Sequence, residues 1–162
     1  MGKIKWNNKK TNILLLGILG VGLLVGALFF WIEYPRMKEF GTAGIFTEEE
    51  VREKTEELIG LFSAQNYQEI LDSYGGKAFQ KTADVEKLEN AAIFASTDWG
   101  DFQEISDITL GEMKKAGKWY AVAESQVVYE HVTVTFTFSF DKDMKLAGVH
   151  LKQEISWPSS TT

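Results

Sequence analysis

An uninterrupted apolar run at residues 13–32 constrains this chain more than any other feature of its sequence. The run reads ILLLGILGVGLLVGALFFWI and carries no charge. At a rise of about 1.5 Å per residue, about twenty helical residues span the roughly 30 Å hydrocarbon core of a bilayer. The sequence therefore predicts a transmembrane helix over residues 13–33, which holds the chain to membrane lipid and leaves the later residues on one side.

The charges around the run predict its orientation. Four lysines and no acidic residue precede it, whereas all 23 Asp and Glu residues follow it. Basic residues beside a membrane helix favour the cytoplasmic side. This bias predicts a cytoplasmic tail at residues 1–12 and an extracytoplasmic location for the rest of a single-pass protein of the cell membrane.

A cleaved signal peptide is the alternative, because it also combines a basic start with an apolar segment. The run is longer than the roughly 7–15 apolar residues of a signal peptide. In addition, bulky Phe29, Phe30 and Trp31 stand where a cleavage site needs small side chains. An uncleaved signal anchor is the favoured interpretation.

The composition after the run is acidic, with 23 acidic residues against 13 basic ones and a net charge of −10. Nucleic acids and anionic lipid head groups need clustered Lys or Arg, so this balance disfavours both as partners. The chain contains no Cys. An extracytoplasmic domain without disulfides suits a bacterial envelope protein better than a small disulfide-rich secreted one.

Turn residues divide the rest of the chain into three parts. Pro35, Gly41 and Gly44 indicate a linker at residues 34–46. Residues 47–153 are enough for one domain with its own core. Pro158 and the Ser/Thr-rich end indicate a flexible tail at residues 154–162.

Three amphipathic helices are predicted at the start of the domain. Thr47 and Glu50 form a capping-box pattern, and apolar residues then recur at helical spacing to about residue 64. A short second helix begins at Asn66 and ends at glycines 75 and 76. A third helix begins near residue 82 or 84 and reaches Trp99.

From residue 101 onward the apolar pattern alternates with a period of two, which predicts four strands. They are expected at residues 102–113, 118–129, 133–140 and 145–152. Parity changes between Ile105 and Ile108, which indicates a bulge in the first strand. The sequence thus predicts an α+β domain in which three helices pack on a curved four-stranded antiparallel sheet.

Loop lengths predict which strand residues lie opposite each other. A four-residue loop at 141–144 pairs Phe138 with Ala147 and sets His150 opposite Thr135 on the outer face. The turn near residue 131 is less restrictive, because both an even and an odd loop length fit the sequence there.

The two loop lengths bury different residues of the second strand. An even loop sets Ala121 and Ala123 beside the phenylalanines of the third strand. An odd loop instead buries Tyr120, Glu124 and Gln126 and creates a polar pocket. The even loop is favoured, because burying an unpaired Glu costs several kcal/mol.

Several motifs are similar to those of a bacterial domain family of unknown function. They are Phe62 to Tyr67 with its helix-breaking Asn66, Gly100-Asp101-Phe102, Lys118-Trp119-Tyr120-Ala121-Val122, and the segment from Val134 to Gly148. With helices ahead of an antiparallel meander, residues 48–152 resemble the nuclear-transport-factor-two-like, cone-shaped α+β superfamily. One departure is the Glu130-His131-Val132 turn, where relatives tend to carry glycine.

The resemblance implies a domain that binds or positions a partner at the envelope rather than one that catalyses a reaction. In cone-shaped folds part of an aromatic set that otherwise forms core can line an apolar ligand pocket. The candidates for such a pocket are Phe62, Tyr74, Trp99, Phe136 and Phe138. The alternative is a polar pocket of an isomerase or hydrolase, formed by Asp98, Tyr120 and Glu124.

The sequence predicts no catalytic residue, cofactor or metal site. It lacks Cys and its two His are far apart, which does not provide a cluster of metal ligands. The favoured function is a non-catalytic binding module. Its partner is expected to be an envelope protein, a small apolar ligand, or a second copy paired through the Thr/Ser-rich outer face of the third strand.

Overall fold

The structure is a computed structural model that describes residues 37–154. The predicted cytoplasmic tail, the predicted anchor at 13–33 and residues 155–162 lie outside that range. Among residues 37–154, no helix is long and apolar enough to cross a membrane.

Five strands form one antiparallel sheet in the order β1-β2-β3-β4-β5. Their bounds are Met37–Glu39 for β1, Phe102–Lys115 for β2, Lys118–Tyr129 for β3, Thr133–Phe140 for β4 and Leu146–Gln153 for β5. The α+β class is confirmed, but the described sheet has five strands rather than four. The additional strand β1 lies within the predicted linker, where three residues are too few to show a period-two pattern.

Four α-helices precede β2 in the described range. They are α1 at Glu48–Ser63, α2 at Tyr67–Glu69, α3 at Lys77–Gln80 and α4 at Val85–Ala95, and α2 continues into a π-helical turn at Ile70–Tyr74. The prediction of three helices missed α3, because four residues are too few to give a helical repeat. The predicted core face of α1 is confirmed, since Val51, Leu58 and Phe62 are buried.

Two helix ends differ from the prediction. The side chain of Thr47 makes no capping hydrogen bond, so only the acidic first turn of α1 complements the helix dipole. Helix α4 ends at Ala95 rather than at Trp99, because Ser96 is extended. The indole N–H of Trp99 then donates to the carbonyl oxygens of Ala92 and Ser96, at 3.3 and 3.0 Å.

The phenylalanines of β4 form the centre of the core. Phe138 and Phe140 are fully buried and lie opposite Ala123 and Ala121 of β3. The favoured even-loop register is therefore confirmed, and the backbone N–H of Tyr129 closes a two-residue turn between β3 and β4. Small residues on one strand leave space for large residues on the next, as close packing requires.

The register of β4 with β5 differs from the prediction by two residues. Phe138 lies opposite Val149 rather than Ala147. The hairpin is longer than the assumed four-residue loop, because Met144 takes a positive φ of 54° and the ladder is irregular at Phe140. From Gly148 onward, a shift of two residues keeps the side chains on their predicted faces, so the histidine of β5 is still outward and exposed. Before it, at the irregular pair with Phe140, Leu146 is buried although the predicted register turns it outward.

A buried carboxylate fixes β1 and the segment after it to the sheet. Glu112 lies on the inner face of β2 and is 0% exposed. Its two carboxylate oxygens accept hydrogen bonds from the backbone N–H groups of Gly41 and Ala43. Beside it, Gly111 accommodates Met37, since an added Cβ would lie 2.5 Å from the methionine side chain. This part of the predicted linker therefore belongs to the folded domain.

We expect Glu112→Gln to lower the free energy of unfolding by about 1–3 kcal/mol, because an amide nitrogen cannot accept a hydrogen bond and leaves one backbone N–H unpaired. Chemical denaturation followed by near-UV circular dichroism measures the change. The matched control is Glu104→Gln, at an exposed position of the same strand, which should change the value by no more than about 0.5 kcal/mol. Equal losses in both variants would contradict the role of Glu112.

Candidate binding site

A cavity of about 300 Å³ lies at the end of the sheet where α1 and α4 end. It is bounded by the last residues of those helices, by the segment 96–101 and by the end of β3. Five aromatic side chains contribute to its walls: Phe62, Tyr67, Trp99, Phe102 and Tyr129. The cavity thus lies where the chain leaves α4 and crosses to β2.

The aromatic rings of the wall contact one another in tilted or edge-to-face pairs. The ring centroids of Trp99 and Tyr129 are 4.8 Å apart, and Trp99 lies 5.7 Å from Phe136 of the core. Phe62 lies 5.8 Å from Tyr67 and 5.6 Å from Phe136. Such pairs add to the stability given by burial, so the wall of the cavity is continuous with the core.

Tyr129 brings a buried hydroxyl group to the cavity. The Oγ of Ser63 donates to the carbonyl oxygen of Ile59 at 2.8 Å. The 2.8 Å bond between Ser63 and Tyr129 therefore has the tyrosine hydroxyl as its donor. Burial raises the pKa of Tyr129 to about 12. At neutral pH the phenol is protonated, and its proton is already donated within the protein.

An ion pair and two backbone bonds hold the rim of the cavity. The Oδ2 of Asp98 lies 3.0 Å from the Nδ1 of His131, and this hydrogen bond raises the pKa of His131 above its ordinary value of 6.5. The N–H of His131 donates to the carbonyl of Trp99 at 3.1 Å, and the N–H of Glu130 donates to Asp101 at 2.8 Å. The β3–β4 turn thus positions the segment that carries Trp99.

Gly100 makes this close approach feasible. Its φ is 67°, a conformation that residues with a side chain rarely adopt. An added Cβ would also lie 2.6 Å from the Cβ of Glu130. The Gly100-Asp101-Phe102 motif therefore has a structural basis at the rim.

Large apolar side chains are exposed beside the cavity. Ile93 and Phe102, which line the cavity, are 49% and 46% exposed. Phe94, the residue after Ile93 on α4, does not line the cavity and is 88% exposed. Single exposed apolar side chains are ordinary on a protein surface. A group of them beside an aromatic concavity is instead typical of a binding surface.

The cavity brings together part of the residue set predicted from the sequence. Phe62, Trp99 and Asp98 line it. Phe136 is fully buried in contact with two of the wall rings, and Phe138 is fully buried next to Phe136. These two phenylalanines therefore support the wall from the core.

The other predicted site residues lie elsewhere. Tyr74 donates a hydrogen bond to Glu57 at 3.0 Å and does not line the cavity. Glu124 is exposed on the outer face of β3, whereas Tyr120 lies near the start of that strand. The structure thus does not bring Asp98, Tyr120 and Glu124 together. Within residues 37–154, no group of three or more His, Asp or Glu side chains is arranged to hold a metal ion.

Sequence reasoning missed three of the five aromatic residues of the wall, namely Tyr67, Phe102 and Tyr129. Tyr129 did carry a signal, because it has the same parity as Ala123 and Val127 and ends the inner row of β3. Tyr67 and Phe102 stand at the edges of their elements, where periodicity gives no information about a neighbouring cavity.

Residues 55–149 match a family described as protein of unknown function, DUF3887. The match covers more than half of the 162 residues. The chain belongs to this family. The DUF3887 match includes the whole cavity wall and Glu112. It begins after β1 and after the two backbone groups that bind the Glu112 carboxylate.

A solved structure has a similar fold to this DUF3887 protein. It is an NMR structure of a protein from Ruminococcus gnavus ATCC 29149, with a TM-score of 0.61 and 24% sequence identity. The alignment covers 72% of this chain and 97% of that chain. At this identity the likeness shows the fold alone. No curated protein matches the chain.

We expect the Asp98–His131 pair to stabilise the rim mainly at acidic pH. Because the folded-state pKa of His131 is raised, its contribution is fully present below pH 6.5 and is lost as the pH rises through the raised pKa. In Asp98→Asn the pKa of His131 should fall toward its ordinary value, which an NMR titration of the imidazole measures. The control is Asp107→Asn, at an exposed position of β2. If the pKa of His131 is equal in the two variants, the pairing of His131 with Asp98 is refuted.

Proposed function

We propose that this DUF3887 protein is a membrane-anchored, extracytoplasmic binding module. Its cavity beside Trp99 receives an apolar group of an envelope protein or of a small ligand. The observation that carries the proposal is an aromatic cavity accompanied by exposed Ile93, Phe94 and Phe102.

The size and chemistry of the cavity limit the bound group. Pockets for drug-sized ligands measure about 300–1,000 Å³, so the volume of about 300 Å³ suits one or two apolar side chains or a small aromatic ring. The indole N–H of Trp99 and the hydroxyl of Tyr129 are already donated to protein oxygens. A ligand therefore meets aromatic ring surface together with the polar side chains of Gln65, Ser96 and Thr97, with Asp98 and Asp101 at the rim.

The alternative is an isomerase or hydrolase that uses a carboxylate in the cavity. A general base must reach the proton of a bound substrate. Asp98 lines the cavity, but its oxygens are bonded to His131 and to the N–H of Gly100. Glu124 is exposed on the outer face. These contacts favour binding over proton transfer.

The anchor and the superfamily belong to the same proposal. The apolar run at 13–32 with lysines ahead of it supports a single membrane span over residues 13–33 with a cytoplasmic amino terminus. Helices followed by the antiparallel meander of β2 to β5 support membership in the nuclear-transport-factor-two-like superfamily.

Blocking the cavity should weaken the binding of a small apolar probe. Indole titrated into the full chain is expected to shift the NMR signal of the Trp99 indole N–H. Thr97→Trp, at an exposed position of the cavity wall, should weaken this binding by about tenfold or more, a loss of about 1.4 kcal/mol.

The control for the blocked cavity is Thr109→Trp, which places the same side chain on the exposed outer face of β2. It should bind indole as the wild type does. If the two variants bind indole with equal affinity, whether both weakly or both as the wild type does, the cavity is not the binding site.

Labelling of single cysteines tests the topology. Because the chain has no Cys, Thr109→Cys and Asn7→Cys each carry one thiol. In intact cells a membrane-impermeant maleimide should label Thr109→Cys and leave Asn7→Cys unlabelled until lysis, since the positive-inside rule keeps residue 7 in the cytoplasm. The reverse pattern would invert the proposed orientation.

A further inference from the structure

Exposed lysines are concentrated at one end of this acidic domain. Lys114, Lys115 and Lys118 lie at the tip of the β2–β3 hairpin, and Lys38 lies on the neighbouring strand β1. All four side chains are exposed. This hairpin and β1 together form what we call the lysine end.

The lysines of the lysine end make no close ion pairs with carboxylates. Among residues 37–154, the four lysines of the lysine end form no ion pair within 4.0 Å. By contrast, Arg52, Lys54, Lys87 and Lys152 each have an acidic partner. The ammonium groups of Lys38 and Lys114 instead lie 5.3 and 5.5 Å from the ring centroid of Trp119. Both remain available to an anion, since a ring face does not neutralise their charge.

Apolar side chains adjoin these lysines. A cleft of about 450 Å³ lies between the β2–β3 and β4–β5 hairpins. Its lining includes Ile45, Trp119 and Ala147, together with the charged side chains of Lys118, Asp141, Lys142 and Asp143. Ile45 is 54% exposed and Met37 is 58% exposed. Basic groups beside Trp and aliphatic side chains are typical of surfaces that lie in the membrane interface.

The chain enters the domain at the lysine end. Met37, the first described residue, pairs with Met113, two residues before the hairpin tip begins at Lys115. The predicted membrane span ends at residue 33, and an extended chain covers at most about 3.6 Å per residue. On the proposed topology, only residues 34–36 of the sequence separate the predicted span from β1.

We propose that the lysine end docks on anionic phospholipid head groups of the membrane that anchors the chain. The inference rests on the proposed function, because it needs the anchor. Lys38, Lys114, Lys115 and Lys118 contact lipid phosphates, and Trp119 and Ile45 lie at head-group level. The net charge of −10 does not prevent this contact, because acidic groups more than about 10 Å away are screened by salt.

Quenching by labelled lipid tests the docking on the full chain. The chain is placed in nanodiscs that contain a lipid with a nitroxide on its head group, and a fluorophore is attached to Ile45→Cys or, in a second sample, to Phe94→Cys at the cavity end. With about one-third phosphatidylglycerol, quenching at residue 45 should exceed that at residue 94 by about twofold or more. The excess should disappear in about 1 M salt, where the Debye length is about 3 Å.

Charge reversal provides the matched variants. Lys114→Glu with Lys118→Glu should remove the excess quenching at residue 45. Lys81→Glu with Lys152→Glu makes the same change in net charge at exposed positions away from the lysine end and should retain the excess. If both double variants behave alike, or if the excess persists in discs of phosphatidylcholine alone, docking through lysines is overturned.

Alkaline carbonate extraction separates failure of the docking from failure of the anchor. A chain that stays in the membrane fraction but shows equal quenching at residues 45 and 94 overturns the docking and leaves the proposed anchor standing. A chain that is extracted into the soluble fraction overturns both, because the docking presupposes the anchor.

Discussion

The contact between the β4 phenylalanines and the β3 alanines is the constraint on which the rest of the domain depends. Phe138 and Phe140 occupy the space that Ala121 and Ala123 leave, and truncating such a phenylalanine costs about 3–5 kcal/mol. A shift of β3 by one residue would turn its inner row outward and bring Glu124 into the core. The same register places Tyr129 at the end of the inner row, so the cavity wall follows from the packing of the core.

The elements that could be predicted from the sequence are those whose patterns repeat. Helix α1, the strands β3 and β4 and their register follow from apolar periodicity and from the cost of burying Glu124. Strand β1 and the positive φ of Met144 leave no repeat and no glycine to reveal them. Phe62 and Trp99 of the cavity wall could be identified from the sequence as aromatic residues. The contact of Trp99 with Tyr129 could not, because it depends on where α4 ends.

The burial of Glu112 does not follow from the desolvation cost alone. The cost that excludes Glu124 from the core would exclude Glu112 as well, yet Glu112 is completely buried. The difference is two backbone N–H groups, from Gly41 and Ala43, about 70 positions earlier in the chain. Paired carboxylates are tolerated inside proteins, and a sequence pattern does not reveal such distant donors. The desolvation cost of a carboxylate therefore distinguishes between strand registers only where no other segment of the chain supplies hydrogen bonds to that carboxylate.

The lysine end and the cavity lie at opposite ends of the same strand. Strand β3 begins at Lys118 and ends at Tyr129, and its 12 residues span about 35–40 Å at about 3.3 Å each. If the lysine end rests on lipid, the cavity opens away from the bilayer surface. A lipid of that bilayer would then have to leave the membrane to reach Trp99. This geometry favours an apolar segment of another envelope protein over a membrane lipid as the ligand of the cavity.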